Sequence, residues 1–170
     1  MQRAYTTAPL TAEQVDAAYL LVGRLAPQLD IACWRSYCDE VRTGAGKAGR
    51  RQAIIVAKNP LGYLQGLCVH AVARHPVQGA ILDVPVFVVA SAADEVGVTA
   101  ALLCDLCSAA GRLDCAAIRL RIEGSQRLRR HIDESGRTVC NHGIALMLDP
   151  RPLEEVPWAQ SQGDSLPVKT

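Results

Sequence analysis

Hydrophobic positions change period several times along the chain, and each change marks an element. Residues 1–10 read as extended and suit an edge strand. Thr11-Ala12-Glu13-Gln14 then has the form of a capping box, in which the Thr hydroxyl reaches the N3 amide and Gln14 reaches back to the N-cap amide. Val15, Ala18, Tyr19, Val22 and Leu25 follow at the spacing of one helix face, with Pro27 as the stop. Ile31, Trp34, Cys38 and Val41 define a second helix that begins near Asp30. Three strand-like runs come next, at 52–58, 63–74 and 80–90. The turns between them are Asn59-Pro60-Leu61-Gly62 and His75-Pro76-Val77-Gln78-Gly79, so the three read as an antiparallel meander. The third is the most apolar and suits burial on both faces. Residues 91–95 open a long helix to about Leu113, with Val96, Ala100, Leu103, Cys107 and Ala110 among its apolar positions. Asp114 breaks it, and 116–122 is a fifth strand. Ser125 caps a short charged helix, 126–134, ended by Gly136, and strands at 137–140 and 144–148 flank Asn141-His142-Gly143. From Pro150 the periodicity disappears and prolines accumulate. The pattern therefore predicts a domain over 1–149 and an extended or partly disordered tail over 150–170, where Trp158 is suited to docking.

Composition narrows the class. A chain of 170 residues is one domain's length and can bury a real core. The net charge of +1 provides no global field for nucleic acid or an anionic membrane. With one Phe and two Trp, the core must be built from Ala, Val, Leu, Ile and Cys. No apolar run reaches the roughly 18 residues that span a bilayer, because Asp83 and Pro85 interrupt the longest candidate. The N-terminus shows no apolar export segment, so a cytoplasmic protein with reduced thiols is expected, its seven cysteines serving mainly as small buried hydrophobes.

Several chemistries are disfavoured by spacing. The glycine-rich basic stretch 43–51 lacks the order GxxxxGK[ST] and leaves a helix instead of a strand, so it reads as a surface loop. Cys104-Asp105-Leu106-Cys107 has CxxC spacing but lies mid-helix, without a second clip or a matched His pair, so no metal site is expected. No GxSxG elbow occurs.

The order strand, two helices, three antiparallel strands, long helix, strand, short helix and strand pair resembles the GNAT-type N-acetyltransferase superfamily over residues 1–149. Gly66 in the third strand, Val96-Gly97-Val98-Thr99-Ala100 opening the long helix, and Glu123-Gly124-Ser125 before the short helix carry the likeness. The resemblance implies an α/β (α+β) fold with a mixed, mostly antiparallel central sheet flanked by helices. It implies acetyl-CoA as co-substrate, its arm on the backbone of Val86, Phe87, Val88 and Val89. Its pyrophosphate would sit on the helix opening at Val96, Gly97, Val98, Thr99 and Ala100, where unpaired amides and the dipole favour an anion. The family's motif places a basic or amide residue three before the first glycine. Here Asp94 and Glu95 stand in that stretch, and Thr99 replaces the second small residue.

Amine acetylation needs a base, carbonyl polarisation and an acid for the leaving thiolate. In the family, a Tyr on the short helix often serves as the acid. Here Ile132 falls at that position, and His131 is the neighbouring residue able to donate. Asp83, in an otherwise apolar strand, is the leading candidate base, with a structural hydrogen-bonding role or a strand-edge position as alternatives. Glu123 is the second candidate base, and Ser125 either orients the thiol or caps the helix. The resemblance thus implies transfer to an amine of a small molecule or peptide, with homodimerisation plausible and no nucleic-acid or membrane partner. The departures favour a competing reading, a GNAT-shaped binding or assembly module without catalysis.

Overall fold

Among the described residues, seven strands form one sheet in the order β1-β2-β3-β4-β5-β7-β6. The computed structural model describes residues 5–44, 52–91, 93–122, 126–134, 138–142 and 145–150. The strands are β1 Thr6–Pro9, β2 Gln52–Lys58, β3 Leu64–His75, β4 Gly79–Val89, β5 Ala117–Arg121, β6 Thr138–His142 and β7 Ala145–Leu148. The helices are α1 Val15–Val22, entered through a 3-10 turn at Ala12–Gln14, α2 Ile31–Thr43, α3 Glu95–Arg112 and α4 Gln126–Glu134. Every described pairing is antiparallel except β4 with β5, which is parallel and is bridged by α3. The class read from the pattern is therefore the one observed.

Local chemistry explains the boundaries. The Thr11 amide donates to Gln14 Oε1 at 3.2 Å, one arm of the expected capping box. Asp30 caps α2, its Oδ2 accepting from the amides of Ala32 at 3.0 Å and Cys33 at 3.2 Å. Helix α1 stops at Val22, short of Pro27, because Gly23 weakens the helix and the amides of Leu25 and Ala26 both fold back on the Val22 carbonyl. The β2–β3 turn is held by Asn59, whose Oδ1 accepts from the amides of Leu61 and Tyr63, while Gly62 takes the left-handed φ of 85° the turn requires. The chain 45–51 lies outside the described residues, although Gly44 before it ends α2 at φ 70°.

The sheet is covered on both faces. On one, α1 and α2 pack over β2, β3 and β4 through Ala18, Leu21, Val22, Trp34 and Cys38. Trp34 also donates Nε1–H to the Val15 carbonyl at 2.8 Å, which ties the two helices together. On the other, α3 buries Val98, Leu102, Leu106 and Ala109 against β2, β3, β4 and β5, and α4 adds Leu128 and Ile132. The i, i+4 spacing of the α3 residues is what lays one stripe on the sheet. Gly66 of β3 makes that approach possible. A Cβ there would lie 2.7 Å from Val98 Cγ1, 3.0 Å from the Val88 carbonyl oxygen and 3.1 Å from Leu102 Cδ1.

Cysteine usage follows the sequence expectation where it is described. Cys38, Cys68, Cys107 and Cys115 are buried, Cys104 is half-buried and Cys33 is exposed. Burial pushes the Cys38 thiol up to about 11 and the Cys68 thiol up as well, so both behave as apolar fillers.

Candidate functional site

The register of β4 contains one extra residue. Val69 pairs with Val86 but Ala71 pairs with Asp83, so two steps on β3 match three on β4. The bulge falls at Val84-Pro85. Proline has no amide to donate and is found in sheets mainly at edges and bulges, which is the signal in the sequence for this feature. Just there, β5 leaves β4: the parallel pairs run from Ile81↔Ala117 to Val84↔Leu120 and no further. Beyond Val84 no described residue of β5 pairs with β4, and a bulge re-aims the groups that follow it.

Strand parity identifies the exposed backbone. The Ala90 amide donates to the Gln65 carbonyl at 2.8 Å, so residue 90 faces β3. Alternation then turns Val88 and Val86 toward β3, and Phe87 and Val89 toward the other side, where no described strand pairs with them. Of the four residues named for the donor's arm, Phe87 and Val89 turn their backbone groups away from β3. The side chains of Phe87, Leu120, Ile122 and Leu128 are buried together in the core on the α3 side.

The opening of α3 lies at the end of β4, as the sequence predicts, but it already holds an anion. Asp94 is the N-cap, and its Oδ1 accepts from the Gly97 amide at 2.8 Å. Ser91 Oγ accepts from the Asp94 amide at 3.1 Å. A Cβ on Gly97 would lie 2.3 Å from Asp94 Oδ2, so glycine here makes room for the chain's own carboxylate. The Tyr5 phenol stands against the same group; its pKa is raised by partial burial first and by the Asp94 carboxylate second. Of the five helix residues expected to meet phosphate, Val98 donates its amide to the Asp94 carbonyl at 3.3 Å. Thr99 and Ala100 lie within the helical ladder. The Thr99 side chain is fully buried, with its hydroxyl donating to the Glu95 carbonyl at 2.6 Å. Val96 and Gly97 lie ahead of the ladder, and Gly97 is taken by Asp94.

Of the expected catalytic side chains, Asp83 and His131 are described. Asp83 pairs across the parallel strands with Arg119, whose Nε donates to Asp83 Oδ1 at 2.8 Å. That carboxylate raises the Arg119 pKa. The pair lies on the sheet face opposite α3, beside the small apolar cluster of Ile81, Ala117 and Met147. Sequence reasoning found Asp83 but not its partner; two polar residues in successive apolar strands were the available signal. Ile132 is 1% exposed and belongs to the α3-side core, so the position matched to the family's Tyr is a packing position here. His131, next to it, is half-buried. Glu123 and Ser125 lie outside the described residues. Among the described residues, no three His, Cys, Asp or Glu side chains come together as a metal site, and no helix is long and apolar enough to cross a membrane.

His70 is a polar group the sequence reading left among dispersed histidines. It is buried on β3 beneath α3, and its Nδ1 has no partner among the described residues. Burial lowers its pKa; Asp105 opposes that shift and Arg112 adds to it.

A seven-stranded sheet whose central parallel pairing stops at a bulge, crossed by a helix that begins just after that bulged strand, is the GNAT-type N-acetyltransferase fold. Solved structures agree with it. A Trypanosoma brucei acetyltransferase matches with a TM-score of 0.60 at 19% identity, over 82% of this chain and 96% of that one. A putative acetyltransferase from Salmonella typhimurium, solved with its cofactor acetyl-CoA, matches at 0.64 and 12% identity, over 87% and 95%. Glucosamine-6-phosphate N-acetyltransferase from Arabidopsis thaliana matches at 0.59 and 14%, over 82% and 94%. No family model matches the sequence, and no curated protein does either.

Proposed function

We propose that the protein is a GNAT-type acyltransferase that moves an acetyl group from acetyl-CoA to an amine on a small molecule or peptide. The observation that carries this reading is the edge of β4 after Val84, where Phe87 and Val89 present backbone groups that no described strand pairs. An extended amide-bearing arm has the donors and acceptors to add to such an edge as a strand would. Acetyl-CoA supplies the activated thioester. The chain's own part is to hold the arm, exclude water with Phe87, Leu120 and Ile122, and offer fixed N–H dipoles to a polarised carbonyl. Asp83 as the base and His131 as the acid belong to the same proposal, with Glu123 and Ser125 as the further candidates. So do a homodimer, built by covering a sheet edge, and a cytoplasmic setting.

The fit is uneven along the donor. The groove suits the arm, whereas the α3 opening holds Asp94 where a diphosphate is expected. This unevenness, with Ile132 in the core, favours a second reading, a GNAT-shaped binding module without turnover. Amide spectra of the 15N-labelled protein titrated with acetyl-CoA test the groove. Shifts concentrated at Phe87 and Val89 are expected, and a folded protein with no shifts at millimolar ligand refutes the acyltransferase reading. Amine-dependent thiol release separates an enzyme from a module.

A further inference from the structure

We infer that Asp94 is a specificity-determining residue that closes the diphosphate end of the donor site, so that the chain selects phosphate-free or phosphate-poor acyl thioesters by their arm. This inference rests on the reading of the β4 edge as the place where the donor's arm binds.

Four observations lead to it. The Asp94 carboxylate is bound to the α3 opening from within, by the Gly97 amide at 2.8 Å. It fills the space that the missing Cβ of Gly97 leaves free. Its backbone is tied down by Ser91 Oγ, so the side chain is set from two directions. Residues 91–100 include a second acid, Glu95, and no Lys or Arg at all. A helix N-terminus carries about half a positive charge, and a carboxylate hydrogen-bonded to it has already neutralised that charge. A diphosphate arriving there meets two carboxylates in place of a cation. It must either expel Asp94 from its cap or lie elsewhere, and in both cases its binding free energy is lost to the complex. The arm meets other partners, the backbone groups of Phe87 and Val89 on β4, ahead of the helix opening that Asp94 caps.

The test compares acetyl-CoA with S-acetylpantetheine, which has the same arm and thioester but no phosphate. Each is titrated calorimetrically into the full chain and into Asp94→Asn, which keeps a capping oxygen and removes the charge. Wild type is expected to bind the two within about threefold, and Asp94→Asn to bind acetyl-CoA about tenfold tighter with S-acetylpantetheine unchanged. Asp94→Ser repeats the measurement with another capping side chain if the Asn variant folds poorly. A wild type that prefers acetyl-CoA by about a hundredfold, with no tightening in either variant, overturns the inference while leaving the groove in place. Failure of both ligands to bind any of the proteins removes the groove reading and this inference with it.

Discussion

Replacing Gly66 with Ala tests whether α3 rests on the sheet where the structure places it. The added methyl would stand 2.7 Å from Val98 Cγ1, 3.0 Å from the Val88 carbonyl and 3.1 Å from Leu102 Cδ1. Val98 and Leu102 are fully buried, and β-branched Val98 has essentially one rotamer in a helix, so the nearest methyl cannot turn aside. The Val88 carbonyl is backbone and cannot move without disturbing β4. The helix must therefore lift. Overpacking of this kind costs about 1–3 kcal/mol. Against it stand about 0.8 kcal/mol from burying one more carbon and about 0.4–1 kcal/mol from restricting the unfolded chain. Three such contacts at once, one of them backbone, place the cost in the upper half of that range, so the net expectation is a loss of about 1 kcal/mol, or roughly 2–4 °C in Tm for a chain this long. Urea denaturation followed by circular dichroism measures it. The decisive control is the same substitution in a Val98→Ala background, where the closest contact is gone and the penalty should shrink by at least about 0.5 kcal/mol. A Gly66→Ala protein as stable as wild type, or an equal penalty in both backgrounds, would refute the packing argument.

Other expectations follow from the ionisable groups and the core. His70 is held neutral by burial, so its folded pKa lies below the ordinary 6.5. The unfolded chain then binds a proton first as pH falls below 6.5, and stability drops toward the folded pKa by up to about 1.4 kcal/mol per pH unit. Urea curves between pH 7 and 5 should show the drop, and His70→Gln should flatten it. Asp83→Asn breaks a half-exposed pair with Arg119 and should cost less than about 1 kcal/mol. If Asp83 is the base, acetyl transfer should also fall about a hundredfold or more; a rate within a few-fold of wild type assigns it to joining β4 and β5. Ile132→Tyr, which restores the family's residue by sequence, should lose about 1–3 kcal/mol in denaturant and gain no activity, because the site is core.

The elements legible in the sequence are those whose residues alternate or repeat. The meander β2–β4, the long helix α3 and the short helix α4 all follow from period and turn chemistry, because each must bury a face. The bulge was not read, although Pro85 pointed to it: a proline in an apolar run marks an irregularity without saying which strand absorbs the extra residue. The end of α1 was misplaced by a few residues because a hydrophobic face continues past Gly23 in pattern while the backbone has already turned. Asp94 was seen as an acid in the wrong place for phosphate. That it binds the Gly97 amide depends on the helix starting one residue later, a detail below the resolution of periodicity.

The split between what persists and what has changed has a physical origin. The groove at β4 is made of main-chain groups, and its position depends on a bulge, a parallel pairing that stops and a helix seated on Gly66. Any sequence that buries the right faces reproduces it, so the fold stands at 12–19% identity to the three solved structures compared. The diphosphate end and the proton donor depend on individual side chains, and those are the positions where this chain differs, with Asp94 in place of a cation or amide and Ile132 in place of a phenol. On the proposed reading, a donor site recognised through its main-chain part holds the arm without the diphosphate. Affinity for the whole donor then has to come from the acyl end and the acceptor, so acceptor binding should tighten donor binding more than in a site anchored by phosphate.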